Sequence, residues 1–475
     1  MSVPAPIGRP AVELDPSLPD YPTVIHALAE AARRTPERTA LICGDRSLSY
    51  AGYLRAAAGF ARRLSGHGVA GERVAVMMSN GIEMAVAMLG AMAARAQMAP
   101  INPFYTEPEL KPLLADAAPR VLVLDGASVA KGRALAAELG IPHVEVFAPG
   151  ALAVDDWAAD PSLTLPELLP GPDDWATLPY SGGTTGVPKG VNHRHRNIVF
   201  FFRQFLSIWT FELDAERFLN VAPMFHIWGF LAATFMPLYA RGTLVIVPKF
   251  EPAAVLDAFE RHRVTVFLGG PASIYMGLMA EPRFAETAFS NLRLCLAGGS
   301  ACPEQMVRDW EAKTGCILLE GLGMSEGAPI TCSPLHGKRK FLSVGVAFPS
   351  YKGKFGDKID GTFGLGAWDP NGPGVKEYVE RHKAVNKGTE PDRWASSNTY
   401  AGLQALQQAI ERVGEIDRAK IIQELKTGSF KTVLGDIKLE GNRLTRLWWV
   451  GQWQGGEYKG IAPATLPGAT QPVLK

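Results

Sequence analysis

Cysteine is scarce in this chain of 475 residues. The five present, Cys43, Cys295, Cys302, Cys316 and Cys332, are an odd set with no C-x-x-C pair. That argues against a disulfide framework and a paired zinc site, and fits reduced thiols in a cytoplasmic protein. Charge of one sign is lacking too: 48 Lys+Arg against 47 Asp+Glu leave a formal net charge of +1. No electrostatic case therefore exists for a nucleic acid or an anionic membrane surface. Long apolar runs are missing. The most apolar stretch, 74–100, is interrupted by Asn80, Glu83 and Arg95, and reads as a buried strand followed by a buried helix, not a membrane span. Residues 1–21 carry Pro, Asp and Glu without the apolar core of an export signal. No internal repeat is visible. What remains is the composition of a soluble globular protein, too long for one hydrophobic core and so expected to form two or more domains.

Strand and helix patterns alternate through the first two thirds. Helical spacing covers 22–36, a strand pair covers 40–43 and 47–50, and a helix over 50–66 is stopped by Gly66 and Gly68. Strand 73–78 leads through Ser79–Gly81 into a helix from Ile82. Helices 107–116 and 127–139 then alternate with strands 120–124 and 142–146. The Pro-, Asp- and Ala-rich stretch 147–175 reads as a surface linker. Alternation resumes with strand 217–221, helix 229–239, strand 243–247, helix 252–262 and strands 264–268 and 292–297. The pattern predicts an α/β fold on mostly parallel sheets flanked by helices. Near residue 350 it changes. Residues 351–374 hold many glycines. A helix over 398–413 carries Tyr400, Leu403, Leu406, Ile410 and Val413 on one face, and Asp417 is placed to cap a further helix stopped by Gly428. Two or three strands close the chain, with turns at Gly441–Asn442 and Gly455–Gly456 and with Trp448, Trp449 and Trp453 in the last.

The segment richest in chemistry is 178–190. Seven of the ten residues from Ser181 to Gly190 are Gly, Ser or Thr, and Lys189 adds a positive charge. Glycines let the backbone turn its N–H groups onto a ligand, hydroxyls add donors, and the cation suits polyphosphate oxygens. No Gly-Lys-Ser/Thr ends the loop, so it is not a Walker A motif. A loop of this composition alone is as often flexible surface. The fixed order Ser181 to Lys189, closed by Pro188-Lys189-Gly190, favours a phosphate site. Gly361 to Gly366 has the wrong spacing for a dinucleotide fingerprint.

This loop resembles the phosphate-binding signature of the AMP-forming adenylating superfamily, which includes acyl-CoA synthetases. Other segments match that family in order: Arg46–Tyr50, Pro100–Pro103 with Tyr105, Pro223–Gly229 as P-x-F-H-x-x-G, Ala297–Ala301, and Glu320–Glu326. The resemblance covers about 20–349 and implies ATP-dependent activation of a carboxylic acid, with ATP, Mg²⁺ and coenzyme A as cofactors and an acid–thiol ligase as the enzyme. It implies that Ser181, Gly182, Gly183, Thr184, Thr185, Gly186 and Lys189 cradle phosphates, and that Glu326 holds Mg²⁺. By the same resemblance Ser325 would meet the α-phosphate, and Gly298, Gly299, Ser300, Glu320, Gly321, Leu322, Gly323 and Met324 would line the nucleotide. It also implies that His226, Trp228, Gly229 and Gly298 form the acid's pocket, with Lys189, His226 and Glu326 as the catalytic set. Taken singly, His226 is more often a core histidine, Glu326 a solvated carboxylate, and His193 and His195 are structural.

The match departs from the family in two ways. Leu322 stands where many members place an aromatic residue on adenine, and the family's ribose-binding Asp, hinge and C-terminal Lys segments are not found. Past Val344–Pro349 the sequence resembles the last part of a type I periplasmic substrate-binding protein of the branched-chain amino acid type. The residues that carry this are Asp357–Gly364, Trp368–Pro370, Tyr400–Gly414, Thr432–Gly435 and Val450–Gln454. The expected division is an adenylating domain over 1–349 and a partial α/β binding-protein lobe over 350–475. Two other functions stay open beside acid activation: a non-catalytic nucleotide-binding remnant or chimera, and an amino acid binding module of a transporter.

Overall fold

The computed structural model describes residues 14–148, 152–181, 189–300, 302–336, 339, 356–365, 368–386, 388, 390–391, 395–440, 443–444, 450–466 and 468–473. Two compact units divide the chain, Met1–Phe341 and Leu342–Lys475. The expectations for Gly182–Pro188, Gly441–Asn442, Trp448, Trp449 and Val344–Pro349 lie outside the described residues.

The strands of the first unit are β1 (Thr39–Cys43), β2 (Arg46–Ser49), β3 (Arg73–Met77), β4 (Gln97–Pro100), β5 (Val121–Asp125), β6 (His143–Phe147), β7 (Trp175–Thr177) and β8 (Tyr180–Ser181). They continue as β9 (Lys189–Gly190), β10 (His193–Arg194), β11 (Arg217–Asn220), β12 (Thr243–Ile246), β13 (Val266–Gly270), β14 (Leu294–Ala297), β15 (Ile317–Met324) and β16 (Gly327–Cys332). An eight-stranded sheet runs β16-β15-β14-β13-β11-β12-β1-β2, and a six-stranded sheet runs β10-β7-β4-β3-β5-β6. Interior pairs are parallel, and antiparallel pairs occur at the edges, β1–β2, β15–β16 and β7–β10. This is the expected α/β architecture. Strands β3 and β5 are near-continuous apolar runs because helices cover both faces of the sheet.

The first three helices are α1 (Val24–Arg34), α2 (Tyr50–Ser65) and α3 (Ile82–Ala93). Every residue of α3 except Glu83 is buried, so it needs no polar face. It packs on α2, where a side chain at Gly90 would come within 2.7 Å of Phe60. Helices α4 (Glu107–Ala117) and α5 (Val129–Leu139) follow. The expected linker 147–175 is more than a linker. Its residues Val154–Ala159 form α6, and Trp157 lies on Gly59 of α2 and joins Phe60 and Phe147 in an aromatic cluster with ring centroids 4.9–6.1 Å apart. Three spaced apolar residues, Val154, Trp157 and Ala158, suffice to dock the turn although the surrounding composition is polar. Strand β4 also went unforeseen. It is four residues long, buried on both faces and without alternation. Helix α7 (His195–Ile208) follows β10.

All five cysteines are free thiols, and the buried pair Cys295, on β14, and Cys316, just before β15, lies with Sγ atoms 3.5 Å apart. Among the described residues no helix is long and apolar enough to cross a membrane.

The second unit holds two three-stranded antiparallel sheets. One orders β17 (Phe363–Leu365), β21 (Val450–Gln454) and β22 (Glu457–Ala462), and the other β18 (Ser429–Thr432), β19 (Gly435–Glu440) and β20 (Arg443–Leu444). Among the described residues five strands of this unit thus follow residue 428, against the two or three expected. Asp417 caps its helix by accepting from the Lys420 N–H, as expected, and Gly428 ends it. Gly455 and Gly456 form the β21–β22 turn with left-handed φ of 59° and 79°. The helix Ala395–Val413 corrects the expectation for its face in part: Tyr400, Ile410 and Val413 pack inward as expected. Ala401, Ala405 and Ala409 are buried, whereas Leu403 and Leu406 are 60% and 38% exposed. Its close neighbours, the helix Arg418–Thr427 and β18, meet the alanine face, where small side chains allow close approach. The Trp157 contact predicts that Trp157→Ala lowers stability by about 2 kcal/mol in urea unfolding, whereas Leu168→Ala, at a position 65% exposed, leaves the midpoint unchanged.

Candidate active site

The phosphate-loop segment is bracketed by a short hairpin. Tyr180 pairs with Gly190 and Ser181 with Lys189, so the two ends of the loop lie side by side. The Ser181 hydroxyl faces the Lys189 carbonyl at 3.4 Å. Lys189 is exposed and forms no ion pair with the described residues. Of the expected phosphate set, Gly182, Gly183, Thr184, Thr185 and Gly186 lie outside the described residues.

His226 is positioned by a tight turn. Its N–H donates to the Pro223 carbonyl at 3.0 Å, and the turn's backbone is clamped by Asn80. Asn80 Nδ2 donates to Ala222 O at 2.9 Å, and its Oδ1 accepts from the Met224 N–H at 2.7 Å. Asn220 Oδ1 accepts from the Ala222 N–H at 2.7 Å. The chain then enters a π-helix, Trp228–Phe235, a form that clusters at functional sites. Gly229 is not among the residues that line the two cavities at His226. A side chain there would run into the Pro223 carbonyl, so glycine permits the turn and the helix to touch. The Trp228 N–H lies 3.3 Å from His226 Nδ1. Nδ1 therefore accepts, and the neutral ring carries its proton on Nε2. Surrounding atoms press the His226 pKa below its usual value, which keeps the ring a neutral N–H donor near pH 7.

Two cavities meet at His226. One is apolar and lined by Phe201, Phe205, Trp228, Leu231, Gly321 and Leu322, among others, with Gly299, Gly323 and Met324 at its rim. The other joins His226 to Asn102, Tyr105, Tyr180 and Ser325. Trp228 forms a wall because Gly298 lets the indole lie flat: a Cβ at Gly298 would sit 2.8 Å from the ring. Gly298 thus supports the pocket from beneath, and Gly299 lines it. Ser300 Oγ accepts from the Ala272 N–H at 3.0 Å, and Glu320 Oε1 accepts from the Cys302 N–H at 3.0 Å. Both side chains therefore brace the loop after β14. Leu322 lies in the apolar wall.

Ser325 and Glu326 form the two-residue tip of the β15–β16 hairpin, since Met324 pairs with Gly327. Glu326 is exposed and has no ion pair among the described residues.

A family model of AMP-binding enzymes matches residues 28–360. The chain belongs to the AMP-binding enzyme family. A model of periplasmic binding proteins matches residues 335–457, in agreement with the resemblance read from the sequence. The long-chain-fatty-acid–CoA ligase of Bacillus subtilis is 31% identical over 69% of this chain and 64% of that ligase. The malonate–CoA ligase of Arabidopsis thaliana is 30% identical over 65% of this chain and 54% of its own length. A feruloyl-CoA synthase of Amycolatopsis is 33% identical over 75% and 69%. The chain thus spans just over half to about two thirds of these relatives. ATP-bound MatB from Rhodopseudomonas palustris superposes with a TM-score of 0.62 at 29% identity, over 73% of this chain and 67% of that one. The inhibitor-bound N-terminal domain of FACL13 from Mycobacterium tuberculosis gives 0.59 at 25% identity, over 64% and 77%.

Of the site residues read from the sequence, His226 and Trp228 line the apolar cavity and His226 and Ser325 the other, while Ser181 and Lys189 pair at the mouth of the loop and Glu326 sits at the hairpin tip. That reading missed Asn80, which reads only as a turn residue, and Phe201 and Phe205, whose i, i+4 spacing on α7 was the available signal. His195, at the start of α7, is fully buried, and neither ring nitrogen has a hydrogen-bond partner. Burial pushes its pKa down to about 4, opposed by Asp174 and aided by His26. A histidine lowered in the folded state binds its proton more readily unfolded. Its contribution is therefore complete above the unfolded pKa of about 6.5 and declines between there and about pH 4. Stability should fall by about 2 kcal/mol from this group between pH 7 and pH 5, and His195→Phe should flatten that slope in thermal melts.

Proposed function

We propose that the first unit activates a carboxylic acid with ATP to form an acyl-adenylate and pyrophosphate. The observation that carries this is the place of His226, at the junction of an apolar cavity and a cavity that reaches Ser325. A carboxylate held there by the Nε2–H of His226 has its hydrocarbon part in the apolar cavity and its oxygens toward the nucleotide side. Catalysis is then largely positioning and charge neutralisation, as in other phosphoryl and nucleotidyl transfers. Lys189 and the hydroxyls and amides of 181–186 would hold the β- and γ-phosphates. Glu326 fits Mg²⁺, because an exposed, unpaired carboxylate oxygen suits a cation that binds through one or two carboxylates plus substrate phosphates. When bound, Mg²⁺ supplies neutralisation of the phosphate charge.

The substrate class follows from the cavity wall. Its side chains are Phe, Ile, Trp, Leu, Ala and Met besides His226, with no charged group among its lining residues. A second carboxylate buried there would lack a cation and cost several kcal/mol, roughly. The pocket therefore favours an apolar or aryl monocarboxylic acid over malonate, although a malonate ligase is among the relatives. The relatives' names imply coenzyme A as the thiol acceptor. We propose that thioester formation is weak, because residues 350–475 carry a binding-protein-like segment in place of the family's hinge and C-terminal lysine segments. The same proposal places the adenylating part at 1–349 and the binding-protein part at 350–475. Free thiols suit a cytoplasmic enzyme. A transporter-type solute module is less favoured, since such sites lie in a cleft between two lobes.

Acid-dependent exchange of labelled pyrophosphate into ATP tests this. Benzoate, coumarate or fatty acids should support exchange at least about tenfold above malonate, and Lys189→Ala should reduce it by about 100-fold. Exchange absent with every acid, from a folded protein that binds ATP, would favour the nucleotide-binding remnant instead.

A further inference from the structure

We infer that His193 is a positioning residue that holds the hairpin tip bearing Ser325 and Glu326 in register with Lys189; this rests on the adenylating reading above. His193 lies on β10, at the edge of the six-stranded sheet and four residues after Lys189. Its side chain is buried. Nε2 lies 2.7 Å from the Ser325 carbonyl, and Nδ1 lies 2.9 Å from Thr177 Oγ1. A carbonyl only accepts, so Nε2 carries the proton. Nδ1 of the neutral ring then accepts from the Thr177 hydroxyl. Burial, the main cause, keeps the pKa below its ordinary value, opposed by the Ser325 bond and the nearby Glu326 charge.

The ring is braced from behind. Thr177 sits on β7, and its carbonyl accepts from Gln97 Nε2 at 3.2 Å. The same amide donates to Asn192 Oδ1 at 2.7 Å, and Gln97 Oε1 accepts from Arg73 Nε at 3.3 Å. Strands β3, β4, β7 and β10 of the six-stranded sheet thus contribute to one polar chain. Its far end grips the exposed tip of the β15–β16 hairpin, which belongs to the eight-stranded sheet. The sheets are joined here by a short, rigid imidazole. That ring fixes the spacing between the cation on β9 and the carboxylate at the tip. In the proposed reaction Lys189 would hold phosphate oxygens and Glu326 would hold Mg²⁺, so the spacing would act on nucleotide affinity and leave the acid pocket alone.

The test compares the full chain with His193→Leu, which fills similar volume without a donor, and His193→Gln, whose amide can still donate. Three quantities are read: exchange kinetics, MgATP affinity by calorimetry, and amide hydrogen exchange at Ser325–Gly327. His193→Leu should raise KM for MgATP about tenfold with the acid KM unchanged, weaken MgATP binding likewise, and speed amide exchange at the tip about tenfold, the effect of losing one buried hydrogen bond. His193→Gln should restore most of each. Unchanged tip exchange and MgATP affinity in His193→Leu would overturn the inference, as would a His193→Gln no better than His193→Leu. If wild type shows no pyrophosphate exchange, the adenylation reading fails by itself, and tip protection in the variants still decides whether His193 holds the hairpin.

Discussion

The contact between Gly229 and the Pro223 carbonyl is the constraint on which the first unit's site depends. Because no side chain intervenes, the π-helix Trp228–Phe235 sits directly on the turn before it. That closeness puts the Trp228 N–H within reach of His226 Nδ1 and so selects the tautomer. It also lays the Trp228 indole over Gly298, which makes the wall of the apolar cavity. Asn80 holds the same turn from the loop after β3, so the position of the imidazole is set by elements of both large sheets. In the proposed reaction, a neutral donor where the apolar cavity meets one of mixed lining would sort the two ends of a carboxylic acid.

Much of this was legible in the sequence, for physical reasons that differ by element. Strands β3 and β5 announce themselves as apolar runs, and helices α1 and α2 as amphipathic periods ended by Arg, Gly or Thr. The Gly-, Ser- and Thr-rich segment 181–190 stands out because few residue types let a backbone bend around an anion, whereas the β15–β16 hairpin was not foreseen. The strand β4 was hidden because four fully buried residues carry no period. Helix α6 was hidden because its three anchoring residues sit in a Pro- and Asp-rich stretch. Gly229 reads as a pocket residue, and the fold also needs it small, since a side chain there would run into the Pro223 carbonyl. Such a role depends on what lies opposite, and one sequence does not say that Pro223 does.

In the second unit the apolar face of the helix Ala395–Val413 was misjudged in part for a related reason. Size was taken as the mark of burial, yet the alanines are what a close neighbour selects and the larger Leu403 and Leu406 stay outside. Hydrophobic period identifies a helix well. Which of two adjacent stripes is covered depends on the distance to the partner element, and that distance is tertiary information.

The paired thiols of Cys295 and Cys316 give the first unit a built-in clock. Both are buried, Cys295 on β14 and Cys316 just before β15, and burial raises the Cys295 pKa well above its ordinary value. An alkylating reagent meets them only when neighbouring strands part, whereas Cys43 and Cys332 are half-buried and nearer the surface. The ratio of labelling between the two pairs therefore measures how often the sheet opens compared with how often its margins breathe, with no foreign probe introduced.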